Sequence, residues 1–293
     1  MNARLHKIAA GFATALAVMM LTGPALADGM GRRGSLKDMP KPEERCKHSA
    51  NIALTTEYIF RGFSQTAQGP AVQGGYDLTC GIFYAGVWAS SLDFAGNLPG
   101  TASFDQTGAP YDASIEMDWY IGIKPVTGRI TWDLGVIYYS YPNRSNPGLD
   151  LNYLELKVGA SAEIWKGGTL GVTVFWSPDY QLESGSTWTV ETGFTHVFPK
   201  FNAIHRDWTP SFSALLGWQI NEGNASYKFT YGNGDDSYLY WNVGLTLGFL
   251  DKWSLDFRYW DTNLSSNTGG SAFCRGQTFQ CDERFVATLK FTY

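Results

Sequence analysis

The chain is short of four things, and each shortage excludes a class. Beyond the first 27 residues no apolar run approaches the length of about 20 that a membrane-spanning helix needs. The mean hydropathy of −0.18 is slightly polar. A bundle of membrane helices is therefore excluded. Basic residues are not in excess, with 22 Lys and Arg against 27 Asp and Glu. That speaks against a nucleic-acid partner, which asks for a basic surface. Histidine is scarce, at four in the whole chain, and no catalytic constellation stands out. Cysteine is also limited to four, at spacings that match no CxxC-type zinc or redox site. Gly232-Asn233-Gly234-Asp235-Asp236 lacks the spaced acidic ligands and the glutamate of a calcium loop. No metal and no cofactor is expected.

What is present begins with a leader. Arg4 and Lys7 precede an apolar stretch over residues 8–21, and Ala25-Leu26-Ala27 offers small residues where a signal peptidase reads. Residues 1–27 are expected to be a secretory signal peptide. Without its two bases the chain holds 20 basic against 27 acidic residues, a net of −7. Residues 28–47 are rich in Gly, Arg, Lys and Pro, and predict a flexible periplasmic segment.

From Ala50 onward, apolar and polar residues alternate with a period of two, which places them on opposite faces of strands. Ile52, Leu54, Thr56, Tyr58 and Phe60 form one row, and Ile115, Met117, Trp119, Ile121 and Ile123 another. Similar rows follow at Ile130–Tyr138, Leu154–Ile164, Phe212–Ile220, Leu239–Phe249 and Trp253–Tyr259. The last is Phe285, Ala287, Leu289, Phe291 and Tyr293. Such a strand, with an aromatic residue at its tip, resembles the closing strand of a bacterial outer-membrane barrel. That resemblance implies recognition by the barrel-assembly machinery. Eleven Trp and sixteen Tyr suit membrane-interface girdles.

The connectors fall into two kinds. Thr127-Gly128, Lys166-Gly167-Gly168 and Asp251-Lys252 read as tight turns. Residues 95–110, 142–150, 222–237 and 265–282 read as long loops. Short turns on one rim and long loops on the other are the habit of outer-membrane barrels. A sheet edge in lipid would leave backbone groups unpaired at several kcal/mol each, so the sheet must close. The chain predicts an all-β transmembrane antiparallel barrel of about twelve strands over residues 48–293. Its ends lie on the short-turn, periplasmic side. Residues 200–210 are the exception, a longer connector where a short one is expected.

Four cysteines in an exported chain predict disulfides. Cys46 precedes the first strand and Cys80 follows the second on the same rim, while Cys274 and Cys281 share the last long loop. The expected pairs are Cys46–Cys80 and Cys274–Cys281.

The register sends charge inward. Glu57, Asp77, Glu116, Asp118, Asp133, Glu155, Glu163, Glu191 and Asp256 are the inward acids. Arg61, Lys124, Lys157, Arg258, Arg284 and Lys290 are the inward bases. Inside, they avoid the roughly 2–4 kcal/mol that Arg or Lys costs against mid-bilayer lipid. The candidate lumen-lining charges are Glu57, Arg61, Glu116, Asp118, Asp133, Glu155, Lys157, Asp256, Arg258 and Arg284. They either line a water path and set its selectivity or pair across strands and fill a narrow barrel.

With strands assigned, SANIALTTEYIFRGFSQT over residues 49–66 resembles the opening of the TorF family of porins. GIFYAGVWASSLDF (81–94), SYLYWNVGLTLGF (237–249), LDFRYWDTN (255–263) and CDERFVATLKFTY (281–293) fit the same pattern. The resemblance implies an outer-membrane barrel with channel activity and supplies no functional residue. The expected function is passive diffusion of small polar solutes or ions, with a weak lean to cations and outer-membrane lipid as the surroundings. The alternatives are a closed structural or surface-interaction barrel and, further off, a lipid-modifying enzyme. The enzyme is disfavoured because His48, His196 and His205 all fall near the periplasmic rim in this layout, away from the outer leaflet.

Overall fold

The computed structural model describes residues 46–94, 113–142, 150–222, 236–264 and 280–293. The leader, nearly all of the segment 28–47, most of the four long loops, the Gly232–Asp235 stretch and Cys274 lie outside the described residues.

Twelve long strands succeed one another. They are β1 Lys47–Thr55, β2 Ala71–Cys80, β3 Phe83–Ser91, β4 Ile115–Ile123, β5 Ile130–Ser140 and β6 Tyr153–Trp165. Then come β7 Gly168–Ser177, β8 Thr187–Val197, β9 Arg206–Asn221, β10 Ser237–Phe249, β11 Trp253–Thr262 and β12 Arg284–Thr292. Each pairs antiparallel with its neighbour in sequence. β12 pairs with β1 through Ile52↔Phe291 and Leu54↔Leu289, which closes the ring. Closure satisfies the edges that an open sheet would leave bare in lipid.

The apolar rows point outward. Ile52 and Leu54 on β1, Trp119 and Ile121 on β4, Val158 on β6, Leu216 on β9, Val243 and Leu245 on β10 and Phe257 on β11 are all exposed. Phe83, Trp165 and Trp253 stand near the short-turn rim, and Tyr138, Trp188 and Trp218 near the other. An apolar belt between two aromatic girdles is what a bilayer selects.

The short-turn rim carries turns such as Gly81-Ile82 and Lys166-Gly167. The connector 200–210 is no exception there. Phe201–Ala203 pairs with Arg206–Trp208, so β9 is prolonged into a small hairpin that turns at Ile204-His205. Cys46 is bonded to Cys80 on this rim, beside the Lys47↔Thr79 pair. Cys281 is disulfide-bonded as well, while Cys274 is outside the described residues. His48, His196 and His205 all sit at this rim.

The first strand departs from expectation. The alternation over residues 49–66 predicts one long strand, but β1 stops at Thr55. Tyr58, expected on the outer row, is buried. Residues 56–70 leave the wall and fold into the barrel mouth. Alternation cannot tell a lipid-facing aromatic from one turned into the interior, because both rows use the same residue types.

Candidate functional site

The interior is built around the returning segment. Within it Ile59–Phe60 pairs with Phe63–Ser64 across Arg61-Gly62. Both turn residues have positive φ, 49° at Arg61 and 88° at Gly62, as a two-residue hairpin turn of this hand requires. A left-handed backbone costs a residue other than glycine about 1–2 kcal/mol, so Arg61 is held there by its contacts. Gly62 is required twice over, since a Cβ would sit 2.4 Å from Thr262 Cγ2.

Arg61 spans the barrel to β6. Its Nη1 and Nη2 donate to the two carboxylate oxygens of Glu155 at 2.7 and 2.8 Å. Tyr139 donates to the same carboxylate at 3.0 Å. The side chains are 3% and 1% exposed. The guanidinium carbon lies 4.8 Å from the centre of the Phe60 ring and 5.1 Å from that of Phe175. A planar, weakly hydrated cation is the side chain suited to such a place.

The rest of this long-loop tier is acidic and rich in tyrosine. Glu116 accepts from Tyr58 at 2.6 Å and from Tyr141 at 2.8 Å. Glu191 accepts from Tyr240 at 2.6 Å. Glu57 pairs with Arg284 at 2.7 Å. Tyr238 donates to the carbonyl of Arg61 at 2.9 Å. Asp118 is buried, and its Oδ1 has no hydrogen-bond partner among the described residues. The wall is shaped to fit these rings. The Tyr240 ring lies over Gly217, where an added Cβ would come within 2.1 Å of it.

A second tier lies towards the short turns and is wetter. Asp133 accepts from Lys157 at 2.8 Å and from Tyr84 at 2.7 Å, with Lys124 at 3.8 Å. The Lys124 side chain is 40% exposed. Asp77 accepts from Tyr120 at 2.5 Å. Arg258 donates to Asp256, Asn242 and Ser213. Lys290 sits on the same side of β12, half buried.

All ten candidate lumen charges thus lie on the inner side, but in two settings. Glu57, Arg61, Glu116, Asp118, Glu155 and Arg284 are enclosed, the first two on the returning segment and not on a strand. Asp133, Lys157, Asp256 and Arg258 are partly exposed. Glu163, expected inside, is exposed at the rim, where it accepts from the amide of Gly167. Sequence reasoning missed Tyr58, Tyr139, Tyr141 and Tyr240, which supply most of the enclosed donors. The Arg61-Gly62 pair between Phe60 and Phe63 was the signal that a turn interrupts the strand. Among the described residues no group of three or more His, Cys, Asp or Glu is placed to hold a metal.

A closed antiparallel sheet with an apolar outside and a charged inside defines a β-barrel of the bacterial outer membrane. The chain belongs to the Gcw_chp family, described as bacterial proteins of unknown function, whose sequence profile matches residues 41–293. No curated protein sequence matches the chain. Among solved structures it is similar to the NanC porin, with 10% identity and a TM-score of 0.45, covering 83% of this chain and 98% of that one. It is similar also to the KdgM porin in complex with disordered oligogalacturonate, with 7% identity, TM-score 0.45, and 84% and 99% covered. LpxR from Salmonella typhimurium gives 11% identity, TM-score 0.42, and 84% and 99% covered.

Proposed function

We propose that the protein is a porin-like channel for passive diffusion of small polar solutes or ions, and that its family is that of the TorF porins. The observation that carries this reading is the partly exposed inner tier. Charged groups such as Lys124, Asp133, Lys157, Asp256 and Arg258 keep contact with solvent inside a wall whose outer face is apolar. A barrel interior needed only as filler can be packed with apolar side chains of similar volume at less desolvation cost. The ten candidate charges are the lining in this reading. The cation lean is the selectivity expected when the long-loop tier is open to solvent, since its acids Glu57, Glu116, Asp118, Glu155 and Glu191 outnumber its bases Arg61 and Arg284. Export by the leader 1–27, the periplasmic segment 28–47 and insertion through the barrel-assembly machinery by way of β12 belong to the same reading.

The test is single-channel recording of the purified protein in planar bilayers, under a salt gradient and with a panel of small solutes. Discrete conductance steps are expected. Silence of the wild type and of variants that loosen the mouth would sink the proposal. One observation favours a second reading, a closed barrel with a structural role: the mouth is packed by residues 56–70 with Arg61 and Glu155 almost fully enclosed. The same recording separates the two.

A further inference from the structure

Resting on the channel reading, we infer that residues 56–70 form a gate, latched by Arg61 to Glu155, and that its release uncovers an acidic ring that admits cations. Three observations carry this. The segment starts and ends at one point of the wall, because Thr55 and Ala71 are themselves paired. It can therefore swing without opening the sheet. It also carries its own internal hydrogen bonds, beside three backbone bonds to the wall next to it: Thr56 N to the Ala287 carbonyl, Ser64 N to the Gln280 carbonyl and Asp93 N to the Gln65 carbonyl. Gln65 N donates to the Tyr58 carbonyl, Tyr58 N to Thr66 Oγ1, Gln68 N to Ser64 Oγ and Gly69 N to the Thr66 carbonyl. Its ties to the far wall are by contrast made by side chains. They are Arg61 to Glu155 on β6, Tyr58 to Glu116 on β4 and the Tyr238 hydroxyl from β10, while Glu57 pairs with Arg284 on the adjoining β12.

The third observation is charge. The segment brings both Arg61 and Glu57 into the enclosed tier, so its withdrawal removes one charge of each sign and leaves the excess of acids in place. The wall left behind on its withdrawal carries Glu116, Asp118, Glu155 and Glu191 against Arg284. A ring of carboxylates in a narrow, low-dielectric passage attracts cations and repels anions. Arg61 is thus the latch and the counter-charge of Glu155, and its release bares that carboxylate beside Glu116, Asp118 and Glu191.

The test uses a reporter under the gate. Thr189 is 1% exposed, and its hydroxyl has no hydrogen-bond partner among the described residues, so Thr189→Cys removes no bond. It faces Phe175, whose ring carries the Arg61 guanidinium. No free cysteine competes with it among the described residues. Labelling by a membrane-impermeant maleimide should be slow in the otherwise native chain. It should be about tenfold faster or more with Arg61→Ala, and faster with Glu155→Gln, which keeps the shape and drops the charge. The reversed pair, Arg61→Glu with Glu155→Arg, should slow it again. Retarded mobility on heating before electrophoresis shows that each variant is folded. Equal labelling rates in folded native and latch variants overturn the gate. In bilayers the latch variants should carry more current, with a reversal potential on the cation side. Anion-selective current would overturn the acidic ring. Faster labelling with no current from any variant would uphold the gate and overturn the channel reading.

Discussion

The two ends of the interior solve the same problem in opposite ways. Both must place charge inside a wall whose outside faces lipid. At the long-loop end, carboxylates are wrapped by tyrosine hydroxyls and by the guanidinium groups of Arg61 and Arg284, and are almost fully buried. At the short-turn end, Asp133, Lys124, Lys157, Asp256 and Arg258 form ion pairs that keep partial contact with solvent. The count of signs differs as well. Five acids face two bases in the enclosed tier. Three acids, Asp77, Asp133 and Asp256, face four bases, Lys124, Lys157, Arg258 and Lys290, in the open one. The lesson concerns interaction strength. An ion pair in the open tier is screened and its loss is tolerated. One in the enclosed tier has no water to replace a missing partner.

Breaking the enclosed pair should therefore have the largest effect. Glu155→Ala leaves Arg61 buried without its counter-charge and should destabilise the mouth by about 3–5 kcal/mol. Denaturant unfolding in detergent micelles, followed by tryptophan fluorescence, checks this. A loss no larger than that of Lys124→Ala would erase the distinction between the tiers.

Overfilling the enclosed wall comes next. Gly217→Ala puts a methyl where the Tyr240 ring lies, and should cost about 1–3 kcal/mol as the ring is forced off Glu191. Adding Tyr240→Phe should recover little, since the ring remains. Tyr240→Ala should remove the clash, and a double-mutant cycle measures that coupling.

A smaller effect, on selectivity alone, should follow from Glu116→Gln with Asp118→Asn. In the native chain these carboxylates are covered, so the reversal potential should hardly move. In the Arg61→Ala background it should shift towards anions, and the shift should shrink as salt rises. Comparing the two backgrounds under one salt gradient sharpens the contrast between covered and uncovered charge.

The smallest effect is expected in the open tier. Lys124→Ala removes a 3.8 Å contact made by a half-exposed ammonium, and should change stability by under about 1 kcal/mol. Lys157→Ala should cost more, because its 2.8 Å bond to Asp133 is better covered.

Much of this molecule is legible in its sequence because the governing signal is local. Which of two successive residues meets lipid is decided within a strand, so the alternation from Ala50, with short turns and long loops between its rows, sufficed for a barrel of about twelve strands and its outer belt. The rim bond Cys46–Cys80 was legible too, because the hairpin of β1 and β2 brings adjacent chain ends together. So was the inward side of Glu116, Asp118, Asp133, Glu155, Asp256 and Arg258. The division of that interior into an enclosed and an open tier was not legible. It depends on where β1 ends and where the following residues go. That was decided by contacts such as Arg61 with Glu155, 94 positions apart, and Tyr238 with the Arg61 carbonyl, 177 apart. Period-two patterning carries no information about such distances. An aromatic row reads the same whether it meets a lipid tail or a tyrosine across the lumen, and only the closed sheet brings those partners within reach.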